Sequence, residues 1–218
     1  MGGMIVFGKG RRVYVTAPGY DDIGQVLRSM NVMHEQFSGS YDCSLLFVNC
    51  GTKSDLKPGK LAEFVTGGGC LYVSDLAGGL LEQAFPELFV FDGRGGTVGN
   101  INALVVDREL REIAGRIIDI RFDMGAWKVL RHCHGHAIIR SANPGQYADL
   151  PIMVSVRHGN GMIFYTCFHN RAQQSAQEKR MLQLLVLKQL SIAEGSSVAQ
   201  VGSSLGIEMD DIRRDFGA

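Results

Sequence analysis

Gly67-Gly68-Gly69-Cys70-Leu71-Tyr72-Val73-Ser74-Asp75 is the stretch from which the fold can be read. Three glycines end one element, and the apolar run after them is a strand that closes on a pair of small polar residues. Upstream, Pro58 fits the first turn of a helix that carries Leu61, Phe64 and Val65. Before it, Ser44-Leu45-Leu46-Phe47-Val48-Asn49 is almost continuously apolar, as a parallel strand covered on both faces must be. Further back, Asp21 and Asp22 can cap a helix with Ile23, Val26, Leu27 and Met30 at helical spacing. That helix follows the β-rich run Arg12 to Ala17, which closes on the turn Pro18-Gly19. Downstream, Leu80, Leu81, Ala84 and Phe85 make a short helix stopped by Pro86. Strand and helix thus alternate three times, the order of a doubly wound sheet.

The second half is richer in strands. Segments 103–106, 117–122, 127–130, 137–141, 152–156 and 162–167 all read as β, and Gly159-Asn160-Gly161 joins the last two as a hairpin. A long helix follows, with Ser175 and Glu178 in capping-box register and apolar residues around most of its girth from Met181 to Leu187. After Ala193 the composition turns to Ser, Gly and acidic groups. The expected organisation is therefore an α/β domain over residues 1–193 and a short helical tail over 194–218. The expected fold is a three-layer, flavodoxin-like arrangement with extra strands in its second half.

The chain has 218 residues, 22 basic against 22 acidic, so no positive excess draws it to a polyanion and nucleic-acid binding is not expected. In the tail, Val198, Val201 and Leu205 share a helical face, but Glu208, Asp210 and Asp211 would repel a phosphate backbone, so it should dock on protein. No stretch reaches the roughly 18 apolar residues of a membrane span, and the run after Met1 is too short for a signal peptide. Five cysteines, odd in number and without a C-x-x-C pair, suit free thiols in a reducing compartment. A cytoplasmic location without membrane contact is the expectation.

The strand ending at Ser74-Asp75, the hairpin strand Gly159-Asn160-Gly161-Met162-Ile163-Phe164-Tyr165-Thr166 and the following Cys167-Phe168-His169-Asn170 resemble, in order and spacing, the class I glutamine amidotransferase-like superfamily, particularly its ThuA-like branch. The resemblance covers about residues 10–192. It implies a Cys nucleophile at a strand-to-helix elbow, then His and Glu in a Phe-His-Pro-Glu stretch. Residue by residue, most of that machinery is missing. The elbow falls near Ser74 or Asp75 with no G-x-C-x-G, and Cys70 lies at the strand's other end. His169 matches the His, whereas Arg171 stands where the Glu would be. Two of three groups needed for thiolate attack on an amide are absent, so glutamine hydrolysis is not expected.

Ser74, Asp75 and His169 remain the candidate site, because strand ends at the carboxyl edge of such a sheet collect ligands. Ser74 with His169 could be a nucleophile–base pair oriented by Asp75, or Ser74 and Asp75 could merely cap the next helix. His132, His134 and His136 form a second cluster. Residues two apart on a strand share a face, so they could hold a metal if Asp123 or His158 completed the set; solvated histidines are the alternative. Gly93-Arg94-Gly95-Gly96-Thr97-Val98-Gly99 lacks the pattern of a phosphate loop and reads as a mobile connection. The favoured function is a non-glutaminase domain for ligand or protein binding, self-association or a protein partner included, within an assembly and without a cofactor. A ThuA-like hydrolase or sugar-modifying enzyme centred on His169 is the alternative.

Overall fold

The structure, a computed structural model, describes residues 12–216 apart from Thr97 and Gln146; the segment after Met1 lies outside that range. Its parallel half is built from β1 (Val13–Val15), β2 (Glu35–Gln36), β3 (Leu45–Val48), β4 (Cys70–Ser74) and, much later, β11 (Gly161–Thr166). The other half contains β6 (Gly99–Val105), β7 (Ile117–Phe122), β9 (His136–Ser141) and β10 (Pro151–His158). Together they form one nine-stranded sheet in the order β2-β1-β3-β4-β11-β10-β9-β6-β7. Pairing is parallel from β2 to β11 and antiparallel from β11 to β7. The extra strands of the second half thus extend a doubly wound sheet, as expected.

Burial explains why the central strands were readable. Every residue of β3 and β4 is buried, the condition that yields continuous apolar runs. The hairpin joins β10 to β11 with Gly159 at φ +55°, where an added Cβ would lie 2.8 Å from the Thr66 backbone. Two strands escaped the sequence reading. β2 has only two residues, both exposed. β5 (Phe89–Gly95) pairs with β8 (Trp127–Cys133) in a separate two-stranded ribbon, so Gly93–Gly95 ends a strand and Gly99 begins another where a loop was expected. Gly95 is needed there: a Cβ would sit 2.6 Å from the Trp127 ring, which lies flat against the strand.

Helices fall into two groups. α1 (Ile23–Ser29) and α4 (Arg108–Ala114) pack on α5 (Ala176–Glu194); α2 (Pro58–Thr66) packs on α3 (Gly79–Ala84). The capping box at α5 forms, Ser175 Oγ accepting the Glu178 N–H and the Glu178 carboxylate accepting the Ser175 N–H. At α1 the expectation fails. Neither Asp21 nor Asp22 caps the helix, and Asn49 Oδ1 accepts the Ile23 N–H at 2.9 Å. In the tail, α6 (Val198–Ser204) and α7 (Met209–Phe216) lie on α4 and α5 with Val198, Val201, Leu205 and Ile212 buried. Among the described residues, no helix is long and apolar enough to cross a membrane.

Candidate functional site

Strands β3, β4 and β11 are neighbours in register, Leu45 opposite Cys70 and Ser74 opposite Thr166, so their carboxyl ends stand abreast. The residues just past those ends are Cys50, Asp75 and His169. Asp75 opens a short 3₁₀ turn (Asp75–Gly78) and sits at φ +44°, a left-handed conformation that Asp tolerates better than most residues. Its Oδ1 accepts the Lys128 N–H at 2.7 Å, which fixes the side chain from the β8 side.

His169 lies between two carboxylates. Its Nδ1 donates to Asp123 Oδ1 at 3.0 Å, and its Nε2 lies 3.0 Å from Asp75 Oδ2. The second contact is an ion pair off the hydrogen-bonding line, so the buried Nε2 has no aligned partner among the described residues. The imidazole is 2% exposed and Asp75 fully buried, whereas Asp123 is 38% exposed and forms the solvent side. Burial works against the imidazolium, but the Asp75 carboxylate and the Cys50 sulfur outweigh it and hold the pKa up at about 11. Cys50 Sγ lies 3.8 Å from Asp75 Oδ2 and is fully buried.

Ser74 does not join this group. Its Oγ accepts the Cys50 N–H at 2.9 Å and reaches the Val48 carbonyl at 3.5 Å, stitching β4 to β3. The nucleophile–base pair considered from sequence is therefore not assembled. Asp21, read as a cap, is a fully buried part of the floor. It accepts the N–H groups of Asp22 and Asn170 and the Asn170 amide, each at 2.9 Å, and the Arg171 N–H at 3.2 Å. Desolvation pushes its carboxyl upward, against the opposing pull of His169. Arg171 itself reaches the Gly19 carbonyl, so the position where a catalytic Glu would stand ties down a loop.

The described residues do not gather His132, His134 and His136 into a set of three donors around one point. β8 ends at Cys133 and β9 begins at His136, so the chain turns at His134-Gly135 and the three histidines are exposed. His132 and His134 meet edge to face with ring centres 5.5 Å apart. Among the described residues, Cys50, Asp75 and His169 form the one group of three such donors close enough to share an ion. The sequence reading missed Cys50 and set Asp123 beside the histidine cluster, whereas it lies on His169 Nδ1. Cys70, at the other end of β4, is buried and its thiol is pushed up to about 12.

Space at His169 is small. A cavity of about 10 Å³ lies against His169, Asp123, Phe168 and Trp127, room for about one water. Phe122, Trp127 and Cys167 separate it from a cavity of about 220 Å³ whose further walls include Tyr147, Leu150 and Ile152. Trp127 Nε1 is buried without a hydrogen-bond partner among the described residues. A cavity of about 520 Å³ opens at the opposite sheet edge beside Gly67–Gly69 and touches none of these groups.

No protein-family model and no curated protein matches the sequence. Solved structures match in shape. A glutamine amidotransferase from Thermotoga maritima superposes with TM-score 0.53 at 10% identity, over 95% of each chain. A ThuA-like protein from Bacteroides uniformis gives 0.58 at 8% identity, over 88% of this chain and 97% of that one. The chain has the class I glutamine amidotransferase-like fold. A β-galactosidase from Bacillus circulans sp. alkalophilus gives 0.60 at 12% identity over 86% of this chain, which spans only 32% of that larger one. Asp75 directly follows β4, and the thiol of Cys50, two residues past β3, lies within 4.8 Å of His169.

Proposed function

We propose that this chain is an amidotransferase-like domain that acts by binding rather than by glutamine hydrolysis, with a small ligand in the cavity beside Trp127 and a place in a larger assembly. The carrying observation is the setting of His169. Both ring nitrogens face carboxylates, Ser74 is engaged elsewhere, and the adjoining space admits about one water. A nucleophile, a base and a substrate carbonyl need to converge within about 3 Å, and there is no volume for the third.

The neighbouring cavity of about 220 Å³ supports the ligand. Its walls are mostly apolar and aromatic, with Ser141, Asn143 and the Tyr147 hydroxyl as the few polar groups, so the lining suits a small planar molecule with one or two polar atoms. The assembly is supported by the β-galactosidase, in which the same fold makes up about a third of a longer chain. Trp127 is the only tryptophan in the sequence, so its fluorescence reports the cavity directly. Titration with benzamide, then with other small planar amides, is expected to give a saturable change that Tyr147→Ala removes. No saturable change with any of them, or one that survives in Tyr147→Ala, would overturn the ligand reading. The mass of the purified chain in solution, alone and with co-purified protein, tests the assembly.

A further inference from the structure

We propose that Cys50 Sγ, Asp75 Oδ2 and His169 Nε2 form a binding site for a zinc ion. Three donors of different type come from the ends of three adjacent strands, all three side chains are buried, and their ligand atoms lie within 4.8 Å of one another. Tetrahedral zinc with bonds of 2.0–2.3 Å holds its donors roughly 3.3–3.7 Å apart. The separations here bracket that spacing, at 3.0 Å for His169 to Asp75 and 3.8 Å for Cys50 to Asp75. Closing the set around an ion therefore asks for side-chain adjustment rather than strand movement.

An independent observation points the same way. His169 Nε2 is buried and aimed at the other two donors, yet makes no aligned hydrogen bond. Its other nitrogen already has the partner that a metal-ligating histidine needs, since Nδ1 donates to Asp123, and Asp75 is likewise held through Oδ1 by the Lys128 N–H. Charge also balances. A thiolate, a carboxylate and a neutral imidazole bring two negative charges to a dication, while a sulfur, nitrogen and oxygen set suits zinc better than calcium or magnesium. Binding replaces the Cys50 thiol proton and the proton on His169 Nε2, both released to solvent. Nothing in this argument depends on a ligand beside Trp127.

The test is equilibrium dialysis of the full chain against zinc chloride, with bound metal measured by mass spectrometry, and parallel loading with cobalt(II). Wild type is expected to retain one metal per chain and, with cobalt, to show a thiolate-to-metal charge-transfer band. Cys50→Ser should lose that band together with the metal. Asp123→Asn, which leaves all three ligands in place, should weaken affinity by about 10–100-fold. His134→Ala should change nothing. Wild type without bound metal, or cobalt bound without the sulfur band, overturns the proposal whatever the fold of the variants. Metal lost in His134→Ala and kept in folded Cys50→Ser would overturn it too.

Discussion

His169 carries more of the structure than a residue waiting for a substrate would. It neutralises Asp75, a carboxylate with no exposed surface, so removing the imidazole leaves a buried charge without its counterpart. In metal-free protein, His169→Ala should lower the urea-unfolding free energy by about 3–5 kcal/mol. Asp123→Asn acts on the solvent side of the same ring, where water screens the contact, and should cost less than about 1 kcal/mol. A His169→Ala protein as stable as wild type would show that Asp75 finds another partner. From sequence, Asp75 and His169 were legible because both follow strands at the carboxyl edge. Cys50 was not, since it follows an unremarkable apolar strand, and Asp123, in the connection from β7 to β8, was named only as a partner for the wrong histidines. Only the register of β3, β4 and β11 and the ribbon packed above them bring those side chains to the ring.

Between elements, the joint of α4, α5 and α6 turns on Lys188. Its ammonium pairs with Asp107 and Glu109 at 3.0 Å each, while Asp107 caps α4 through the Leu110 N–H and Glu109 accepts the Val198 N–H at the start of α6. Burial opposes the charge on Lys188, but the two carboxylates outweigh it and raise its pKa. A lysine whose pKa rises on folding adds stability that is fully present below its unfolded pKa of about 10.4 and is lost as pH climbs through the folded value. Lys188→Met should therefore cost on the order of 1–2 kcal/mol at neutral pH, and the gap to wild type should narrow in alkaline urea titrations above that range. Packing sets the rest of the joint. Ile212, on α7, is fully buried, and Ile212→Ala should cost about 2–4 kcal/mol in the same assay. No loss would mean the tail is not seated on its own domain. The periodicity of Val198, Val201 and Leu205 announced a buried face here, but not which surface would cover it.

At the scale of the molecule, the order of strands and helices in the first half announced the doubly wound sheet because buried parallel strands write themselves as apolar runs. β5, one half of the β5–β8 ribbon, was invisible for the opposite reason. Asp92-Gly93-Arg94-Gly95 has the composition of a turn, and its strand geometry depends on Trp127, more than thirty residues away, filling the space that Gly95 leaves open. That ribbon supplies both the Lys128 N–H that fixes Asp75 and the indole that narrows the space at His169. The fold is thus shared with a glutamine amidotransferase, and the space beside His169 is only about 10 Å³. Ammonia release from glutamine by the purified chain measures this most directly. No turnover above the protein-free background is expected; steady turnover that disappears in Cys50→Ala would contradict a binding role and make the buried thiol beside His169 a nucleophile.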